Sequence, residues 1–286
     1  MFEMLINPAK AEKYPWEMFF IGAFYANLSL ILTKWIFMSD PVLSKYAGIL
    51  VVTFCVMFSL PFMYFAIKNE EEKDLSERKF SVLLKEHSKA LAYFIFLFLG
   101  FVFAFSIWYI VFEEGNQNFR AQIETYCMIN KPANFEECVS EYGVKHISKT
   151  TGFLSAKERI VNIFINNIYV LIFTLIFSLI FGAGSIFILS WNASVISAAI
   201  GIFSKSDLIN LPAALMRYMI HGVPEIASYF IGALAGGIVS VAIIKHDINS
   251  EKFWIILQDS LNLVIISVVL LFVAALIEVF ITPLLF

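Results

Sequence analysis

The chain has 286 residues, of which 60% are hydrophobic and 15% are charged, and its formal net charge is −3. Soluble domains average about 45–50% apolar and about 25% charged residues, so this composition excludes a water-soluble domain. The charge balance also supplies no concentrated basic surface, so we expect no nucleic-acid partner. The lipid bilayer is the partner that the composition predicts.

Stretches without Asp, Glu, Lys or Arg locate the membrane segments, because about 20 apolar residues are needed to cross a hydrocarbon core. These stretches are continuous rather than alternating, which indicates helices. The predicted fold is all-α, a polytopic bundle of about seven transmembrane helices, with six helices plus a re-entrant segment as the alternative. The predicted crossings are Trp16–Met38, Lys45–Ile67, Ala90–Phe112, Ile160–Ser190, a segment containing Asn192–Phe203, Glu225–Ile244 and Leu261–Phe280.

One uncharged run, Ile160–Ser204, is 45 residues long and therefore too long for a single crossing. Gly182, Gly184 and the Trp191-Asn192 pair are the candidate joints. The part that follows Asn192 is too short to span alone. It either continues into the helix that carries Arg217 or dips into the membrane as half of a broken hairpin.

The hydrophilic segments divide the chain into a hairpin (1–67), a charged amphipathic linker helix (68–89) and a membrane core (90–286). Within the core, residues 113–159 are predicted to form an extramembrane cap. The linker holds six Lys or Arg in 22 residues. Because short basic loops stay inside the cell, this density favours a cytoplasmic amino terminus in a multi-pass cell-membrane protein.

Two of the three cysteines, Cys127 and Cys138, lie in the predicted cap. If the cap faces an oxidising compartment, they are expected to form a disulfide, and two free thiols are the alternative. Only His146 lies near them, which makes a zinc site less favoured. We expect neither a metal nor another cofactor.

Polar side chains at membrane depth are the informative residues, since burying such groups without partners costs several kcal/mol. Asn162 and Asn166 share a helix face and could bond to a neighbouring helix. Glu278 is a candidate partner for Arg217 or His221. The predicted intramembrane polar cluster contains His221, Glu225, Glu278, Arg217, Asn166, Asn167 and Asn192.

The run His221-Gly222-Val223-Pro224-Glu225 is the most specific of these features. Gly222 suits a helix end and Pro224 suits the first turn of a new helix, so the chain is predicted to break here. The break could be a purely structural joint, or His221 and Glu225 could form a proton-accepting pair or a ligand site. It is not a zinc-protease motif, because HExxH requires a second histidine.

After this run, Gly232 and Gly236 have the Gly-x-x-x-Gly spacing that lets two helix backbones approach closely. The predicted role of these glycines is helix packing, with Gly182 and Gly184 as candidate contacts on the neighbouring helix.

Four features of the chain carry a family resemblance: the asparagines of the fourth helix, Gly182 with Gly184, HGVPEIAS at 221–228 and IEVFITP at 277–283. Together they resemble the stage II sporulation protein M family. Asn192-Ala193 departs from the Asn-Gly of many members, which disfavours a tight turn there. The amino-terminal hairpin resembles the extension of archaeal members. The resemblance implies an integral membrane protein, which in spore-forming bacteria belongs to an engulfment machine that remodels the envelope with peptidoglycan-degrading partners.

These features favour a non-enzymatic scaffold or remodelling component of the cell envelope, with protein partners or a homo-oligomer. The alternative is a proton-coupled transporter or lipid translocase with a broken-helix site at His221 and Glu225. An intramembrane hydrolase using the same two residues is disfavoured, because no activated Ser or Cys lies beside them at helical spacing.

Overall fold

The computed structural model describes residues 14–73, 87–112, 115–130, 134–142, 156–181, 186–204, 207–245 and 250–285. Their regular secondary structure is entirely helical, and seven of the described helical segments are long and apolar enough to cross a membrane. The all-α polytopic prediction is therefore confirmed, and the chain is a multi-pass membrane protein.

The α-helices of the described residues are named α1 to α10 in chain order. Short 3₁₀ turns at Leu43–Tyr46, Gly115–Phe119 and Leu208–Asn210 precede α2, α4 and α8, and a π-helical turn at Ile277–Ile281 joins the last two helices. The helices are α1 Glu17–Phe37, α2 Ala47–Lys73, α3 Ser88–Val111, α4 Arg120–Asn130, α5 Phe135–Glu141, α6 Ala156–Phe181, α7 Ile186–Phe203, α8 Leu211–Lys245, α9 Glu251–Leu276 and α10 Thr282–Leu285.

The 45-residue uncharged run forms two crossings, α6 and α7, separated by residues 182–185. The predicted end of the fourth crossing at Ser190 is wrong, and Trp191-Asn192 lies inside α7. The Asn192 side chain is satisfied within this helix, since its Nδ2 donates to the Ile188 carbonyl of the preceding turn at 2.8 Å. With 18 residues, α7 is long enough to span the membrane, so the re-entrant alternative is not needed.

The predicted helix break at Gly222 and Pro224 is also absent, because α8 continues through Pro224 from Leu211 to Lys245. Proline removes one backbone hydrogen bond, but surrounding helices hold such a helix together when it is enclosed in a bundle. Of the seven spans, α8 is the most deeply buried. Packing therefore outweighs the local preference for a break.

The amino-terminal hairpin packs against α3 through two glycines. A Cβ atom added to Gly100 would lie 2.1 Å from the Phe19 carbonyl oxygen, and one added to Gly22 would meet the Leu97 carbonyl. Only a residue without a side chain allows α1 and α3 to approach this closely.

At the turn between α1 and α2, Asp40 Oδ1 accepts the N–H groups of Val42 at 2.8 Å and Leu43 at 2.9 Å. These bonds hold the pKa of the Asp40 carboxyl below its usual value.

The cap is built from α4 and α5, which are joined by a disulfide between Cys127 and Cys138. Gln122 fastens α4 to the membrane core. Its Nε2 donates to the Gly48 carbonyl at 3.0 Å and to Ser194 Oγ at 3.1 Å. The cap is thereby attached to the start of α2 and to the middle of α7.

Candidate functional site

The candidate site lies where α6, α8 and the end of α9 meet on the cap side of the bundle. Helices α6 and α8 run in the same direction, and a Cβ atom on Gly236 would contact the Leu175 carbonyl and Ser178 of α6. The Ser178 hydroxyl also donates to the Ala233 carbonyl. This register brings Asn167 beside Glu225, about three turns closer to the cap.

Glu225 is the centre of the site. The Tyr229 hydroxyl, one turn further along α8, donates to Glu225 Oε1 at 3.0 Å. The buried side chain of Asn167 also lies beside Glu225, close enough to interact with its carboxyl group. Helices α6 and α8 are therefore joined by a polar contact at membrane depth.

The π-helical turn brings a second carboxyl group to the site. In this turn the Thr282 N–H donates to the Ile277 carbonyl, five residues back. Pro283, the next residue, has no N–H and its ring clashes with an ideal preceding turn, which the wider π turn accommodates. Glu278 lies in this turn, close enough to Glu225 and Tyr229 to interact with both electrostatically.

His221 links α8 to the end of this turn. Its Nδ1 lies 3.2 Å from Thr282 Oγ1, although the two residues are 61 positions apart in the chain. The tautomer of His221 decides which of the two groups donates the proton. Thr282 is buried, so this contact fixes the carboxyl-terminal end of the bundle against α8.

Aromatic residues surround the site on the cap side. The Arg217 guanidinium lies over the Phe203 ring of α7, with Cζ 4.7 Å from the ring centroid. Tyr218 packs edge-on against His221, with 6.4 Å between ring centroids, and its hydroxyl lies close enough to Tyr126 of the cap to interact with it. The site is thus connected to the cap by side-chain contacts.

The structure brings together four members of the predicted polar cluster: Asn167, His221, Glu225 and Glu278. Arg217 lies beside them, toward α7. Two predicted members do not join them. Asn192 bonds within its own helix, and Asn166 is exposed on the outer face of α6.

The glycines have separate roles. Gly232 faces Leu171 and Gly236 faces the α6 backbone, whereas Gly222 has room for a side chain, its nearest neighbour being Met219 Cε at 3.8 Å. The predicted contacts of Gly182 and Gly184 lie outside the described residues.

Two residues of the site, Tyr229 and Thr282, were not predicted from the sequence. Tyr229 could have been found from its position one helical turn after Glu225.

Chemically, the site provides hydrogen bonds between helices and two neighbouring carboxyl groups. Within the described ranges, no three His, Cys, Asp or Glu side chains are grouped so as to hold a metal ion.

A family model for stage II sporulation protein M matches residues 90–283, which is more than half of the chain. The chain belongs to the stage II sporulation protein M family. The matched region begins near the start of α3 and includes the cap and every residue of the candidate site. The hairpin formed by α1 and α2 precedes it.

The chain is also similar to the uncharacterized protein MJ0793 of the archaeon Methanocaldococcus jannaschii. The two are 32% identical over 127 residues, which cover 43% of this chain and 70% of the relative. This similarity is consistent with an archaeal-type member of the family. No solved structure matches the chain.

Proposed function

We propose that this family member is a non-enzymatic scaffold or remodelling component of the cell envelope. The observation that carries the proposal is the attachment of the cap to the core through Gln122, which bonds the backbone of α2 and a side chain of α7. A cap held by two helices of the bundle presents a fixed surface, as a scaffold requires. The disulfide between α4 and α5 supports the same role.

The intramembrane polar residues support a scaffold more than a transporter. Tyr229 donates to Glu225, Asn167 lies beside the same carboxyl group, and His221 contacts Thr282, so these side chains connect α6, α8 and α10. Polar contacts between membrane helices each contribute about 1 kcal/mol to association. In this proposal they maintain the shape of the bundle.

The proposed orientation puts the amino terminus and the linker (68–89) in the cytoplasm and the cap outside. The basic density of the linker and the disulfide in the cap favour this arrangement. The protein then offers one recruiting surface on each side of the membrane.

Partner capture tests the scaffold role. Full-length protein and a variant whose residues 75–85 are replaced by a Gly/Ser segment of equal length are cross-linked in native membranes. We expect the replacement to lose the proteins captured on the linker side while the thermal unfolding of the bundle stays unchanged. Recovery of the same partners from both proteins would contradict recruitment by the linker.

Proton flux distinguishes the scaffold from the transporter alternative. Proteoliposomes under a pH gradient are expected to acidify at the rate of empty liposomes. A faster rate that Glu225→Gln abolishes, in a variant that is still folded at the assay temperature, would overturn the scaffold proposal in favour of proton transport.

A further inference from the structure

A regular stripe of exposed residues runs along the outer face of α6. It consists of six residues whose side chains are all exposed: Asn162, Asn166, Tyr169, Phe173, Ile176 and Ile180. Successive members are four, three, four, three and four residues apart. This alternation is the heptad spacing of the a and d positions that form the seam between two packed helices.

Another face of α6 is already occupied. Its opposite face contacts α8 through Leu171 and Ser178, and Phe164 packs edge-on against Phe272 of α9 with 5.6 Å between ring centroids. Even so, α6 has the smallest buried share of the seven spans. The stripe therefore lies within the face of α6 that the described bundle leaves open.

The two asparagines make lipid a poor neighbour for this stripe. No hydrogen bond joins the side chain of Asn162 or Asn166 to another residue in the described part of the chain. Two other membrane asparagines behave differently. The amides of Asn27 and Asn192 each donate to a carbonyl of their own helix at 2.8 Å.

Asn166 also lies at membrane depth. It is adjacent to Asn167, which lies beside Glu225, and it falls inside the apolar span Ile160–Ile180. Hydrocarbon offers no hydrogen-bond partner for an amide, so a polar group from another helix satisfies Asn166 better than lipid does.

We propose that a second copy of this chain covers the stripe and forms a homodimer along α6. Copies inserted in the same orientation are related by a two-fold axis along the membrane normal, so residues at equal depth face each other. Asn166 then meets Asn166 of the second copy. An amide both donates and accepts, and the pair is therefore self-complementary.

The stripe carries no charged residue, so two copies meet without repulsion. A polar residue at an a position fixes the register of such a seam. The proposal depends on the exposure and spacing of α6 residues. It is therefore independent of the scaffold function and remains testable if that function fails.

Cysteine cross-linking of the purified full-length protein in liposomes tests the seam. In a Cys55→Ala background, the stripe variants are Phe173→Cys and Ile180→Cys. The matched controls are the adjacent exposed positions Ile172→Cys and Leu179→Cys, which lie off the stripe on the same helix. We expect a mild oxidant to give disulfide-linked dimers from the stripe variants at least several-fold faster than from the controls.

Equal rates at all four positions, or dimers only from the controls, would overturn the proposal. A purely monomeric protein in liposomes whose stripe cross-links to a different protein in cells would also overturn it, because the occupant would then be another membrane protein.

The asparagine pair has its own test. Energy transfer between labelled copies, diluted stepwise with lipid, measures the dimer association constant. Asn166→Leu is expected to lower it about ten-fold, the effect of losing one interhelical amide contact. Asn27→Leu, an exposed asparagine bonded within its own helix, is the matched control and should leave it unchanged. An Asn166→Leu variant that associates as tightly as the control would contradict the role of the amide.

Discussion

The Nδ1 atom of His221 and the hydroxyl oxygen of Thr282 lie 3.2 Å apart, and this contact connects α8 to α10. The π-helical turn before Pro283 places Thr282 for this contact, and Glu278 lies within the same turn. One local distortion thus delivers two polar side chains to the site.

Replacing the Thr282 hydroxyl by a methyl group removes the partner of His221 at almost constant volume. Thr282→Val is expected to lower the free energy of unfolding by about 1 kcal/mol, the usual contribution of such a bond. Denaturant unfolding in mixed micelles measures this change in the free energy of unfolding. The control is Thr174→Val, where the buried hydroxyl bonds the Val170 carbonyl of its own helix. Equal losses in both variants would show that the His221 contact adds nothing specific.

The glycines of the bundle are predicted to differ sharply in their tolerance of alanine. Gly100→Ala would place Cβ 2.1 Å from the Phe19 carbonyl oxygen and force α1 away from α3. We expect a loss of about 1–3 kcal/mol in unfolding free energy, as for other overpacked sites.

Gly222→Ala is the matched comparison, because its Cβ would have no neighbour nearer than 3.8 Å. Alanine favours a helix over glycine by roughly 0.5–1 kcal/mol, so this variant is expected to unfold at the same or a higher temperature. A large destabilisation at Gly222 would instead support the helix break that the sequence suggested.

The attachment of the cap depends on Gln122. Gln122→Met keeps the length of the side chain but removes its bonds to Gly48 and Ser194. The lost bonds should speed hydrogen exchange in α4 by about ten-fold or more, since each contributes about 1 kcal/mol. In the control Thr125→Val, the lost hydroxyl bonds only the Ala121 carbonyl of α4 itself. Unchanged exchange in Gln122→Met would mean that the cap is held by other contacts.

The number of crossings was predictable from the sequence, because the cost of placing charges in hydrocarbon sets a minimum length for uncharged runs. The positions of the breaks were not. Gly182 and the Trp191-Asn192 pair were both reasonable joints. Tertiary contacts keep α7 helical beyond Asn192, among them the bond of Ser197 Oγ to the Val102 carbonyl of α3 at 3.0 Å.

The types of residue that form the site could be predicted from the sequence, but most of the residues that they contact could not. Scarcity of polar side chains in the apolar runs pointed to Glu225, His221 and Glu278, since an ionisable group is rarely buried without a partner. Their actual neighbours come from other helices: Asn167 from α6 and Thr282 from α10. Such neighbours depend on helix register, which spacing within one helix does not specify. The same limit explains why Asn166, next to Asn167, faces outward.

The central claim is that polar side chains of α6 and α8 interact with each other inside the membrane and hold the bundle together. A double-mutant cycle of Asn167→Leu and Glu225→Gln, followed by unfolding free energy in mixed micelles, tests it most directly. We expect the two losses to be non-additive, with a coupling energy of about 1 kcal/mol. Additive losses, within about 0.3 kcal/mol, would show that the two side chains do not interact and would contradict the account.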